Sequence, residues 1–534
     1  MEKPIDNPTR EETQDDWKAA PYHSSIMPAE LPAELQPTVE LPIEEPPPMG
    51  NETKLGLGVL CVALIAGVLG NALWRADPWG INVPIWAIVT TAAMAVLIER
   101  QHPQLARGVK WMAVPVICFA AGFAGRDSAT LRALDALAML LMLGLFAFRV
   151  RTGRLLMAGV VEYVQGLILA GVFATGGALS LVFGDIRWRE LPRDGWSKQA
   201  WAGARGVMLA VPLLLLFGGL FVAADAAFEN LVERTIAVDV SSLLSHFVLT
   251  AGLAWVLGGF LRWTLLTTQP QISFGNRPAS LSLGIIETSI ILGLLNLLFL
   301  AFVILQFRYF FGGAAHVAAS TGLTYAEYAR RGFFELVIVA ALVLPLLLGM
   351  HWLLQKENPT HERLFRLLAV MQLLLLSVIM FSAVQRMRLY QSEYGLTELR
   401  LYTTAFMGWL AVVFVWFALT VLRGQRMRFA FGAVVAGFVM IGALHALNPD
   451  ALIVRVNAER ASAGRGFDVG YATSLSADAV PTLVAALPTL SEADRRAVMD
   501  HLHNNWSLTQ SSEPAGWRSW NWSRRQARRA LQGK

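Results

Sequence analysis

Long apolar stretches follow one another through most of this chain, roughly a dozen of them between Leu55 and Leu447. A helix of about 20 apolar residues spans the roughly 30 Å hydrocarbon core of a bilayer, and it satisfies its own backbone hydrogen bonds, which lipid cannot do. The sequence therefore predicts an all-α fold: a polytopic transmembrane helical bundle with about 11–12 membrane spans and a small C-terminal helical domain.

The apolar stretches begin near Leu55, Ile81, Gly108, Thr130, Met157, Ala202, Ser241, Leu283, Gly332, Arg363, Leu401 and Met427. Most gaps between them are short, which favours antiparallel packing of consecutive helices. We therefore divide the chain into a tail at residues 1–54, a transmembrane bundle at residues 55–447 and an extramembrane domain at residues 448–534.

Composition supports this class and excludes others. Of the 534 residues, 55% are hydrophobic and 16% are charged, whereas soluble proteins carry about 25% charged residues. The net charge is +5, but Lys and Arg are scattered through the loops, so the expected partner is the lipid bilayer and not nucleic acid. Cys61 and Cys118 lie within apolar stretches, which predicts neither a disulfide nor a zinc site, and no metal or cofactor is expected.

The tail at residues 1–54 is acidic and rich in proline, with three consecutive prolines at Pro46–Pro48 near its end. Such a composition buries too little apolar surface to offset the entropy of ordering, so we expect a disordered tail. It either binds a partner or is simply solvated.

The C-terminal part at residues 448–534 has a different character. Ser491 and Asp494 have the spacing of a helix cap, which predicts a helix continuing to about Asn505. The end combines Trp517, Trp520 and Trp522 with arginines. These tryptophans are expected either at the headgroup level of the membrane or packed within the small domain.

Lys and Arg in short loops predict the orientation. The basic loops at Arg149–Arg154 and Arg423–Arg428 both favour the cytoplasm, but a strict count of crossings places them on opposite sides. A re-entrant segment at Met157–Phe183 would remove the conflict, and the alternative is an ordinary crossing with an atypical basic outer loop. The re-entrant reading predicts a cytoplasmic N-terminus and an extracytoplasmic C-terminal domain.

Ionisable side chains within spans are costly in lipid, so each is a candidate for function. The candidates are Asp135, Glu162, His246, Glu287, Glu335, His351 and His445, with the amides Asn296, Gln306 and Gln372. Most of them are expected to pair with a neighbouring helix or to extend from the end of a span.

Two stretches near span ends combine Arg, Tyr and Glu more densely than their surroundings. The first supplies Arg308, Tyr309, Glu327, Tyr328, Arg330, Arg331 and Glu335, and the second supplies Arg386, Arg388, Tyr390, Tyr394, Glu398 and Arg400. Paired arginines bind phosphate and carboxylate groups, so we expect one shared polar site for an anionic lipid or lipid-linked ligand on the outer face. The alternative is that each stretch anchors a loop at the membrane surface.

These stretches also carry a family resemblance. The segments Tyr325–Glu335 and Arg386–Arg400, with Arg187–Pro192 and Trp517–Trp522, resemble a bacterial polytopic family of unknown function numbered four-one-seven-three, and its sister family numbered four-one-five-three. The resemblance covers roughly Leu55 to the C-terminus. It implies a bacterial inner-membrane protein, and it implies no activity.

Three functions are therefore compatible with the sequence. The first is transport, or the handling of lipids or envelope precursors, at a polar site open to the outer face. The second is a membrane-embedded enzyme in which Glu327 or Glu398 acts as a base on an anionic substrate. The third is a non-catalytic membrane scaffold.

Overall fold

The computed structural model describes residues 50–101, 108, 110–153, 155–156, 158–190, 196–228, 240–267, 282–321, 333–354, 358–511 and 516–532. The expected disorder of the tail falls almost entirely outside these residues. Residues 51–54 were expected in the tail, but they form the first turn of the first helix.

Twelve helices of the described bundle follow in chain order. They are α1 (Asn51–Trp74), α2 (Asn82–Gln101), α3 (Ala113–Gly125), α4 (Ala129–Thr152), α5 (Val160–Ser180), α6 (Trp196–Ala224), α7 (Val240–Leu265), α8 (Ile285–Thr321), α9 (Phe333–Leu353), α10 (Pro359–Tyr394), α11 (Glu398–Thr420) and α12 (Phe429–Leu447). Eleven of the described helices are long and apolar enough to cross a membrane. The predicted all-α polytopic fold is therefore confirmed.

The segment expected to span from near Gly108 is shorter than a typical span. It consists of one 3₁₀ turn, Lys110–Met112, followed by α3. α3 is packed between α2 and α4, so neighbouring helices cover much of its surface.

The C-terminal part forms five described helices: α13 (Pro449–Ser462), α14 (Val469–Ser474), α15 (Val480–Ala486), α16 (Glu492–Ser511) and α17 (Trp522–Gln532). They enclose a small apolar core of their own around Val454, Leu483, Val498 and Ala527. The predicted helix cap is present, because Ser491 Oγ accepts the backbone N–H of Asp494 at 3.2 Å.

This domain covers one end of the bundle, which we call the domain end. The backbone N–H of Ile81, between α1 and α2, donates to Trp520 O at 2.9 Å. Asn521 Nδ2 donates to Arg126 O between α3 and α4 at 2.8 Å, and Leu396 N between α10 and α11 donates to Asn457 Oδ1 at 2.8 Å. Three interhelical turns therefore mark the domain end, and α1 begins at the opposite end.

Helix α5 keeps both of its ends at that opposite end. Tyr163, in its first turn, donates to the carbonyl of Leu155 just after α4. α5 runs into a π-helical turn that finishes at Asp185, which pairs with Arg262 in the last turn of α7. Glu190, five residues later in the chain, accepts hydrogen bonds at the start of α1. α5 is a continuous helix that is long and apolar enough to cross a membrane, and the re-entrant segment stays a prediction.

The contacts of α5 also bear on the two basic loops. α4 starts at the domain end, so Arg149 and Arg151 near its C-terminus lie at the opposite end. α11 also starts at the domain end, so the turn at Arg423–Arg428 lies at the opposite end as well. Both basic loops share one end of the bundle.

Candidate functional site

A pair of ionisable side chains lies inside the bundle near the domain end. Asp135, on the second turn of α4, is completely buried. His445, in the last turn of α12, places its Nε2 atom 2.9 and 3.1 Å from the two carboxylate oxygens of Asp135. A carboxylate and an imidazole therefore meet across two helices that the sequence places in the membrane.

The chain leaves space for this pair at Gly122 on α3. A Cβ atom added there would lie 2.9 Å from both Asp135 Cγ and His445 Cε1, closer than such atoms approach one another. Glycine at this position lets α3 pack directly against the pair, so three helices enclose it.

A larger polar network continues from the pair into the C-terminal domain. Arg126 donates to the carbonyl of His445, and its other amino group lies 3.5 Å from Asp478 Oδ1. Asp478 Oδ2 accepts the backbone N–H groups of Asp127 and Ser128 at 2.7 and 2.9 Å. Asp478 is nearly fully buried and fixes the α3–α4 turn against the domain.

A second carboxylate of the network, Asp127, is held by two arginines. Its Oδ1 atom lies 3.0 Å from Arg132 Nη2 and 3.3 Å from Arg524 Nε. Burial raises the pKa of Asp127 above its usual 3.8, the two arginines oppose this, and Asp478 adds to it. Two arginines therefore pair this partly buried carboxylate.

A third carboxylate, Asp450, is 1% exposed and begins α13. Its Oδ2 atom accepts hydrogen bonds from the hydroxyl and the backbone N–H of Ser476. Its Oδ1 atom is buried and has no hydrogen-bond partner among the described residues. Burial is the largest cause that raises the pKa of Asp450 above 3.8, Ser476 opposes it, and Asp478 and Asp127 add to it.

The structure brings together part of the second predicted stretch. The Arg400 guanidinium lies over the Tyr390 ring at 4.0 Å, and the rings of Tyr390 and Tyr394 are 5.1 Å apart. Arg400 also donates to the carbonyls of Tyr394 and Gly395. These contacts stabilise the turn between α10 and α11, with the guanidinium engaged by the chain itself.

Arg386 belongs to a different contact. It donates to Gln306 Oε1 on α8 at 2.9 Å, and Ser382 donates to the same oxygen at 3.0 Å. Gln306 and Ser382 are buried, so this contact joins α8 to α10 within the bundle. Arg388 and Glu335 are exposed at the ends of α10 and α9.

Glu398 contacts the C-terminal domain and α4. Its backbone N–H donates to Tyr471 Oη of the domain at 2.7 Å, and its side chain hydrogen-bonds Thr130. The remaining predicted residues cannot be placed in the same way. The side chains of Arg308 and Tyr309, and all of Glu327, Tyr328, Arg330 and Arg331, lie outside the described residues. The shared site between the two stretches therefore stays a prediction.

Sequence reasoning singled out Asp135 and His445 but missed most of the network. Asp127, Asp450 and Asp478 each stand beside a helix start, where acidic residues are ordinary caps. One signal was available: Arg126 and Asp127 interrupt two apolar stretches with an unusually short charged turn.

The family of the chain is established by its sequence. Residues 113–486, well over half of the chain, match the family described as a domain of unknown function, DUF4153. The chain belongs to this family. It is the sister family of the two that the motifs suggest, and the match ends before the Trp517–Trp522 motif. Comparison with curated proteins and with solved structures finds no match.

The DUF4153 match includes Asp127, Asp135, Asp450 and Asp478, and it ends before Arg524. Within the described ranges, no group of three or more His, Cys, Asp and Glu side chains is placed to hold a metal ion. The arrangement can bind and release protons, because it keeps titratable groups buried and in contact.

Proposed function

We propose that this integral membrane protein is a transporter that couples the movement of an anionic cargo to protonation within its bundle. The observation that carries the proposal is the Asp135–His445 pair, with its carboxylate fully buried between α4 and α12. Ionisable pairs at such positions are costly and commonly serve as proton relays. A pair needed only to join two helices could use uncharged side chains at lower cost.

We further propose a bacterial inner membrane as the location, with the domain end on the extracytoplasmic side. Support comes from the two basic loops, Arg149–Arg154 and Arg423–Arg428, whose helices place them together at the opposite end. The N-terminus then lies in the cytoplasm. Reporter fusions after Ala200 and after Lys534 test this, and finding both junctions on one side of the membrane would contradict it.

The cargo class follows from the expected outer-face site with its arginines. Soluble anions and anionic lipid headgroups share the phosphate or carboxylate group that arginine binds. Lipid-linked envelope precursors belong to the second of these sources.

The transport proposal is tested with purified protein in liposomes that carry an imposed pH gradient. Two probes represent the two sources of cargo, inorganic phosphate and fluorescently labelled phosphatidylglycerol. We expect gradient-dependent uptake of the first or transfer of the second between leaflets, and we expect D135N and H445Q to remove it. D500N is the matched control, because Asp500 is exposed in α16. The proposal fails if the gradient moves neither probe.

A further inference from the structure

Two of the four carboxylates at the interface between the bundle and the C-terminal domain lie outside its ion pairs. The carboxylates are Asp127, Asp450, Asp478 and Glu398, and the arginines paired with them are Arg126, Arg132 and Arg524. All three arginines are engaged by Asp127 or Asp478. Among the described residues, neither Asp450 nor Glu398 lies within ion-pair distance of a cationic side chain.

The carboxylates outside the ion pairs are Asp450 and Glu398, and Arg400 lies within electrostatic range of Tyr471 beside them. Glu398, Tyr402 and Tyr471 all lie within electrostatic range of Asp450. These residues come from α11, α13 and α14, so Asp450 is enclosed by parts of both the bundle and the domain. We call this set of four residues the acidic pocket.

One carboxylate oxygen of Asp450 lacks a partner. Asp450 is 1% exposed, and its Oδ1 atom is buried without a hydrogen-bond partner among the described residues. Leaving a buried charged oxygen unpaired is costly, and the cost is removed by a proton on the carboxyl group or by a small cation beside it.

We propose that the acidic pocket binds one small monovalent cation, either a proton or Na⁺. It has two carboxylates and therefore falls short of the three acidic or imidazole ligands that a divalent or transition-metal site commonly uses. The bound cation neutralises negative charge on Asp450 and Glu398, and it holds the C-terminal domain on the bundle. This proposal does not depend on the proposed transport function, since the pocket is separate from the Asp135–His445 pair.

Both cations act on stability in a known direction. Asp450 has a raised pKa in the folded protein, so the folded state binds a proton more tightly than the unfolded chain does. The free energy of unfolding therefore rises on acidification towards 3.8, the ordinary pKa of the residue, and falls as pH rises through the raised value. Na⁺ that binds only the folded state stabilises it by mass action.

The test measures the melting temperature of the purified full-length chain by tryptophan fluorescence. Na⁺ is varied against choline at constant ionic strength, and pH is varied between about 5 and about 8. We expect the melting temperature of wild type to rise by about 1 °C for each tenfold rise in the free cation concentration once binding exceeds half-saturation. D450N should respond to neither cation, and E459Q, altered at an exposed residue of the same helix α13, should respond as wild type does.

The arms of the experiment separate the two cations. A response to Na⁺ at fixed pH identifies Na⁺, and a pH response that persists in choline and is lost in D450N identifies the proton. Y402F, which removes one hydroxyl of the pocket, should weaken the response and decides the question if D450N does not fold. The proposal is overturned if wild type responds to neither cation, or if wild type, D450N and Y402F respond alike.

Discussion

Replacing Gly177 with alanine should destabilise the protein, whereas the same change at the adjacent Gly176 should not. A Cβ atom at Gly177 would lie 2.9 Å from the carbonyl oxygen of Gly259 on α7 and 3.0 Å from its Cα atom. Both atoms belong to the backbone, so the clash can be relieved only by moving α5 away from α7. At Gly176 the added atom meets nothing within 4 Å.

The size of the effect follows from two terms. Alanine is favoured over glycine inside a helix by about 1 kcal/mol, and both variants gain this. Overpacking costs about 1–3 kcal/mol, and only G177A carries that cost. The difference between the two variants therefore isolates the clash, and it should appear as a melting temperature about 1–3 °C lower for G177A.

The assay is thermal unfolding of both purified variants in the same detergent, followed by tryptophan fluorescence. Equal melting temperatures for G177A and G176A would refute the close crossing of α5 and α7. They would also remove support for the placement of α5 across the opposite end of the bundle.

Two further predictions concern single contacts. G122A should lower the melting temperature, because its added methyl group displaces the Asp135–His445 pair, whereas G125A on the same helix meets nothing within 4 Å and should match wild type. T53A should remove the hydroxyl that donates to Glu190 at 2.7 Å. This hydrogen bond is the largest cause that lowers the pKa of Glu190 below 4.5, so wild type should be more stable than T53A at neutral pH. The advantage should disappear as pH falls below 4.5 and through the lowered pKa of Glu190, which melting curves across pH will show, and a constant difference would contradict it.

The sequence was sufficient to predict the helices of the bundle. Long apolar stretches leave few alternatives to membrane helices, so the predicted starts at Ile81 and Thr130 fall within one residue of α2 and α4. The placement of α5 in the bundle was harder to predict, because its length and composition are those of an ordinary span. In the sequence, only the conflict between the basic loops indicated an unusual path for this segment.

The candidate site was less predictable because its contacts are distant in sequence. Asp478 accepts the backbone N–H of Asp127, 351 residues earlier, and no local pattern records such a pairing. Arg400 was expected in a ligand site, but its guanidinium binds carbonyls of its own turn. Arginine, tyrosine and glutamate near a span end therefore indicate a polar contact without revealing whether its partner is a ligand or the chain itself.

The central claim, that Asp135 and His445 bind a proton within the membrane, is tested most directly by charge movement. Proteoliposomes on a solid-supported membrane receive a rapid pH jump in the absence of cargo, and the transient current is recorded. We predict a transient current for wild type and for D500N, altered at an exposed residue, and none for D135N. A current of equal size in D135N would contradict the account.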